Sequence, residues 1–184
     1  MENLMIKMKI TIFRLGHRLP RDERITTHVA LVARAFGAEE LIYAGQHDSS
    51  FEESVKRVSV AWGGAFSARH VKKPASLISE YKDNGYTIVH LTMYGIPLPE
   101  KVAEIRKSQK IAIIVGAEQV PKEFYELANF NISITSQPHS EVAALAITLD
   151  RIMGGRPLER EFSLKFKGKI AISPSERGKS IRKP

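Results

Sequence analysis

Short unbroken apolar runs alternate along the chain with stretches whose apolar positions recur every third or fourth residue. Unbroken runs suit strands buried on both faces, while the longer spacing gives a helix one core-facing side, so the alternation predicts βαβ units around a mostly parallel sheet. Strands are predicted over Lys9–Arg14, Glu40–Ala44, Phe66–Val71, Thr87–Leu91, Ile111–Val115 and Asn131–Thr135. Helices are predicted over Thr27–Phe36, Glu52–Trp62, Ala75–Asp83, Pro99–Ser108, Pro121–Ala128 and Ser140–Met153. The last is the clearest, with Val142, Leu145, Leu149 and Ile152 on one face, Ser140 as cap and Gly154-Gly155 as terminator. Beyond it the pattern changes. Glu161–Phe166 and Lys169–Ile172 read as short strands or an extended arm, and Ser173–Pro184 as poorly ordered. This divides the chain into an α/β domain over 1–155 and a basic C-terminal extension over 156–184.

Composition supports one domain able to bury a core, since 43% of 184 residues are hydrophobic and 26% charged. No stretch approaches the roughly 20 apolar residues of a membrane span, and Met1–Lys7 lacks the features of a secretory signal, so a cytoplasmic protein without membrane contact is expected. There is no cysteine, which removes disulfides, cysteine zinc sites and cysteine nucleophiles. The net charge of +8 favours a polyanionic partner, because clustered cations gain affinity by displacing counterions from phosphates. The charge is concentrated at Arg14, His17, Arg18, Arg21 and Arg24, and again at Arg160, Lys165, Lys167, Lys169, Arg177, Lys179, Arg182 and Lys183.

In open parallel sheets ligands sit beyond the carboxyl ends of the strands. The segments there read His90–Gly95, Val115–Pro121 and Thr135–Glu141, and their small and polar residues suit a nucleoside-like ligand. Each also has a plainer reading. Gly116 fits a turn needing positive φ, Glu118 a surface carboxylate, His139-Ser140 a helix start, His90 a satisfied core histidine, and Met93 and Tyr94 ordinary packing residues. No dinucleotide glycine motif, phosphate loop, nucleophile elbow or zinc pair is present, and Asp48, Asp83 and Asp150 have no metal-ligand spacing, so no metal is expected. The segment Arg14–His28 crowds basic and imidazole side chains between a strand and a helix. Such arginines can clamp phosphates and hold a ribose, or simply pair with Asp22 and Glu23 in a solvated loop.

Taken together, R-L-x-x-R-x-x-R-D-x-R-x-T-T-H (Arg14–His28), V-A-L-V-A-R-A-F-G-A (Val29–Ala38), V-G-A-E-x-V-P (Val115–Pro121) and Q-P-H-S-E-V-A-A-L-A-I-x-L-D-R (Gln137–Arg151) resemble the archaeal tRNA (cytidine-56) 2′-O-methyltransferases of the SPOUT superfamily. The resemblance runs from Met8 to the basic tail, with Met1–Lys7 as an extra start. It implies a mostly parallel sheet with a deep C-terminal trefoil knot, a homodimer, and S-adenosylmethionine held in the knot for methyl transfer to a tRNA ribose. The implied cofactor residues are Leu91, then Gly116, Ala117, Glu118, Gln119 and Val120, then Ile134, Thr135, Ser136, Gln137, Pro138, His139, Ser140 and Glu141. Arg14, Arg18, Lys165, Lys167 and Lys169 are expected to grip RNA. The family's arginine at the target hydroxyl has no aligned counterpart, since superposition on Phe36-Gly37 puts Leu31 there; Arg24 and Arg21 are the candidates, Arg24 first. The same fold acting on another RNA position or base, and a non-catalytic RNA-binding α/β protein, are the alternative readings.

Overall fold

Alternate residues of the central strands go to opposite faces of the sheet, and both faces are apolar. In the computed structural model, which describes residues 8–116 and 119–182, six strands form one sheet: β1 (Lys9–His17), β2 (Glu40–Gly45), β3 (Ser67–Val71), β4 (Thr87–Pro97), β5 (Lys110–Val115) and β6 (Phe130–Ser133). Their order is β3-β2-β1-β5-β4-β6, with every pairing parallel. Helices α1 (Glu23–Ala35), α2 (Ser49–Trp62), α3 (Pro74–Asp83), α4 (Leu98–Ile105), α5 (Lys122–Leu127) and α6 (Glu141–Met153) fill the crossovers and follow the last strand.

On one face Ile10, Ile12, Leu41, Ile111 and Ile113 pack with Val29 and Ala33 of α1, Phe51 of α2, Ile105 of α4 and Leu145 and Leu149 of α6. On the other, Phe13, Ile42, Ile88 and Ile114 pack with Ile78 of α3 and Phe124 of α5. Fully burying such side chains contributes about 1.5–3 kcal/mol each, which is why the β1–β5 centre sets the register, Lys9 opposite Lys110 through Arg14 opposite Val115. Ser140 caps α6 by accepting from the Val142 N–H at 3.2 Å, and Gly154 ends the helix at φ 71°.

Two strands run past their predicted ends. β1 continues through Arg14 to His17, and β4 continues from Leu91 to Pro97, because pairing with β6 resumes at Ile96–Ile132 after a break in register.

The C-terminal extension departs from expectation more strongly. Glu161–Phe166 is not a strand: α7 (Arg160–Leu164) is a helix, and the i,i+4 pair Phe162 and Phe166 seats both rings on glycines. A Cβ at Gly37 would lie 2.7 Å from the Phe162 ring, and one at Gly64 2.8 Å from Phe166. The Arg34 guanidinium stands 5.1 Å from the Phe166 ring centroid and donates to the Gly63 carbonyl. Nor is the stretch after Ser173 irregular throughout, since β7 (Ala171–Ser173) and β8 (Ser180–Arg182) pair as an antiparallel hairpin.

Candidate active site

The carboxyl ends of β1, β4, β5 and β6 open onto one cavity of about 530 Å³, within the size range of small-molecule sites. The loop before α6 supplies Ile134, Gln137, Pro138, His139 and Ser140, and α6 itself Glu141 and Ala144; β4 and its extension supply His90 through Tyr94, and the end of β5 Val115 and Gly116. The segment joining β1 to α1 supplies Arg18, Arg21 and Asp22, while Arg14 reaches the cavity from within β1.

Arg14 is 1% exposed. Its guanidinium donates to the Leu15 carbonyl at 2.6 Å and to Glu141 Oε1 at 3.1 Å, tying β1 to the first turn of α6. Burial lowers the Arg14 pKa against the opposing charges of Glu141 and Asp22, and burial raises that of Glu141 against Arg14. For Asp22, burial pulls upward, but hydrogen bonds and charge from Arg18 and the charge of Arg14 outweigh it and hold the carboxyl below its ordinary range. Arg18 reaches Asp22 Oδ2 through both its backbone N–H and Nε, each at 3.1 Å. The base of this segment rests on buried His17, whose Nδ1 is 2.9 Å from Thr26 Oγ1 and whose Nε2 is 3.5 Å from Asp48 Oδ2.

His90 is wholly buried but only half satisfied. Asn131 Nδ2 donates to the Tyr125 carbonyl at 3.0 Å, so its Oδ1, 2.9 Å from His90 Nδ1, must accept the imidazole proton. The proton therefore sits on Nδ1, and Nε2 is a bare acceptor without a protein partner. Burial lowers the His90 pKa and favours the neutral ring, outweighing the hydrogen bond that Nδ1–H donates to Asn131, which pulls the other way.

Arg14 instead of gripping RNA at the surface is an interior ion-pair residue, because desolvating a guanidinium requires a carboxylate partner and Glu141 provides it. Of the two candidate catalytic arginines, Arg21 lines the cavity, whereas Arg24 is exposed on the first turn of α1 and does not. Among the expected cofactor residues, Leu91, Gly116, Val120, Ile134, Gln137, Pro138, His139, Ser140 and Glu141 line the cavity; Gln119, Thr135 and Ser136 do not; Ala117 and Glu118 lie outside the described residues. Gly116 is required by contact, not by positive φ: a Cβ there would fall 2.1 Å from Val120 Cγ2. Lys165, Lys167 and Lys169 are exposed, but their segment docks at the opposite end of the sheet, where Lys165 flanks a second cavity with Met8, Lys9 and Gly37. Tyr125, Ile132 and Ala144 also line the site. The i,i+3 spacing from Glu141 announces Ala144, whereas no local signal marks Tyr125.

S-adenosylmethionine fits this cavity chemically. Leu91, Val115, Val120, Ile132, Ile134 and Ala144 offer apolar walls for a purine, Gly116 lets the backbone close in, and buried polar atoms without protein partners (His90 Nε2, Glu141 Oε2, Arg14 Nε) belong to lining residues. Among the described residues, no group of three or more His, Asp or Glu is arranged to hold a metal ion.

A parallel sheet with a cavity built from the ends of β1, β4, β5 and β6 defines the class first. Solved structures share the fold, among them an RNA 2′-O ribose methyltransferase (TM-score 0.61, 20% identity, covering 82% of this chain and 57% of that one). Another is the A. aeolicus TrmH/SpoU tRNA modifying enzyme (TM-score 0.61, 18% identity, 87% of each chain). The SpoU methyltransferase AviRb from Streptomyces viridochromogenes, solved in complex with the cofactor AdoMet, matches at TM-score 0.58 and 18% identity over 84% of this chain and 60% of that one. The chain belongs to the family of tRNA ribose 2′-O-methyltransferases described as aTrm56, whose pattern matches residues 62–182. It is 51% identical over 175 residues to the tRNA (cytidine(56)-2′-O)-methyltransferase of Archaeoglobus fulgidus, covering 95% of this chain and 98% of that one. With the enzyme of the same description from Methanopyrus kandleri it shares 44% over 178 residues, 97% of this chain and 98% of that one.

Proposed function

We propose that this protein transfers a methyl group from S-adenosylmethionine to the 2′-hydroxyl of cytidine 56 in tRNA. The observation that carries the reading is the single cavity shared by the arginine-bearing β1–α1 segment and the loops after β4, β5 and β6. The bound cofactor supplies an already activated methyl group, so the chain's own task is alignment and charge. Leu91, Val120, Ile134 and Ala144 hold an apolar ligand face, while Gly116 and the segment Gln137–Glu141 complete the cofactor site. Arg21 stabilises negative charge on the ribose oxygen or holds an adjacent phosphate; a guanidinium keeps its proton too firmly to serve as proton acceptor. Arg18, braced on Asp22, and exposed Arg24 grip the RNA backbone nearby, and Lys165, Lys167 and Lys169 engage a more distant part of the tRNA.

The reading carries a homodimer, a C-terminal trefoil knot and a cytoplasmic location with it. The dimer is supported by apolar side chains left exposed on adjoining helices, Leu31 of α1 at 40% and Ile147 of α6 at 43%. The knot is supported by the likeness to SpoU/TrmH folds. Among the described residues no helix is long and apolar enough to cross a membrane.

Methyl transfer from tritiated cofactor to tRNA tests the activity. Label is expected on a transcript with cytidine at 56 and none on one with 2′-deoxycytidine there; label on the deoxy substrate overturns ribose methylation. Arg21→Ala is expected to keep cofactor affinity and lose at least about a hundredfold in turnover, the range of a removed charge-stabilising donor.

A further inference from the structure

Tyr94 is 80% exposed, more than any other large apolar or aromatic side chain among the described residues, and it lines the proposed active site. The backbone puts it there. Pairing between β4 and β6 breaks after Leu91 and resumes at Ile96, so Thr92–Gly95 bulges from the sheet. The bulge is held on both sides. Thr92 Oγ1 lies 3.1 Å from Tyr125 Oη and accepts from the Tyr94 N–H at 3.4 Å, and Gly95 approaches β6 so closely that a Cβ would fall 2.5 Å from the Ile132 nitrogen. A fixed bulge thus presents an aromatic ring to solvent at a nucleoside-sized cavity that Arg18 and Arg21 also line.

We propose that Tyr94 is the stacking platform for the base of the nucleotide being methylated, an inference that rests on the ribose-methylation reading above. For its 2′-oxygen to enter the cavity, that nucleotide must leave its neighbours in the RNA, and its base loses stacking. A protruding ring beside the ribose site restores a stacking partner, and Arg18 and Arg21, which line the same cavity, hold the flanking phosphates. Stacking accepts any base face, so Tyr94 positions the nucleotide and does not choose its identity. The phenol oxygen has no part in this contact.

The test uses the full-length protein and tRNA transcripts carrying either cytidine or a base-less ribonucleotide, with its 2′-hydroxyl intact, at position 56. Tyr94→Ala is expected to raise the KM for tRNA about tenfold, in line with one lost base–aromatic stack, with a smaller change in kcat and no change in cofactor affinity by calorimetry. Tyr94→Phe restores the wild-type KM. The base-less transcript should cost the wild type a similar factor and cost Tyr94→Ala nothing further. The proposal is overturned if the two losses multiply, if Tyr94→Phe is as impaired as Tyr94→Ala, or if cofactor affinity falls with KM, which would make Tyr94 part of the cofactor pocket. Failure of the wild type to bind cofactor or methylate tRNA overturns the ribose-methylation reading and this proposal together; equal kinetics in wild type and Tyr94→Ala overturns this proposal alone.

Discussion

Arg14 and Glu141 are far apart in the chain, yet their ion pair fastens the arginine-bearing segment to the α6 side of the cavity. Its two ends differ, because Arg14 is 1% and Glu141 25% exposed at the side chain. Glu141→Gln keeps an acceptor but removes the facing carboxylate from a buried guanidinium, leaving it the Leu15 carbonyl and the charge of Asp22, and is expected to cost about 3 kcal/mol in urea unfolding, the low end for a broken buried pair. Arg14→Met leaves the carboxylate with some access to water and should cost less. The double variant Arg14→Met/Glu141→Gln is expected to be more stable than Glu141→Gln alone; additive losses would mean that the two charges do not interact. His90 gives a second residue-scale expectation. Its folded pKa lies below its ordinary value of 6.5, so an unfolded chain gains a proton that the folded protein refuses once the pH drops below that value. Stability from the neutral, Asn131-bonded ring is therefore complete above pH 6.5 and lost on acidification. Thermal melts at about pH 7 and 5.5 should show a shallower fall in Tm for His90→Gln than for wild type.

At the scale of elements, α7 shows how a pattern read as a strand or arm became a helix. Phe162 and Phe166 look like alternating strand residues until Gly37 and Gly64 are seen beneath them. Those glycines end α1 and α2 at the amino-terminal edge of the sheet, so the extension closes the end opposite the cavity. Phe162→Ala should accordingly destabilise the protein by about 1–3 kcal/mol, below a full core deletion because the ring is only half-buried, and leave cofactor affinity unchanged. Loss of cofactor binding in that variant would show that the two ends of the sheet are coupled. Periodicity located every helix through α6 and, the far end of β4 apart, every sheet strand to within a few residues. It missed the extensions of β1 and β4, because Leu15–His17 and Thr92–Pro97 carry polar residues and glycine that look like loop until their partners on β2 and β6 are known.

For the whole molecule, the exposed apolar side chains of α1 and α6 argue for association with a second copy. Ile147→Lys is expected to shift sedimentation toward monomer at micromolar concentration with unchanged helix content, and to reduce methyl transfer where the site needs both chains. A variant that stays dimeric would place the interface elsewhere. β1, about 26 Å long as eight steps of 3.3 Å, lies between the end of the sheet that carries Arg18 and Arg21 and the end where Lys165 flanks the second cavity. Only a macromolecular substrate can touch both.

Legible in the residues alone are the alternation of strands and helices, the parallel class of sheet, the carboxyl-end segments that line the cavity and, through four motifs together, the family. These rest on short-range pattern: side-chain period, caps, turns and residue types in order. It takes the packed fold to turn Arg14 inward to Glu141, to face Arg21 and not Arg24 to the cavity, to set Gly116 against Val120, and to leave Tyr94 standing out instead of packing. Each of those depends on what lies across the sheet or beside the loop. Burial, pairing and exposure are set by neighbours remote in sequence, and no local pattern encodes them.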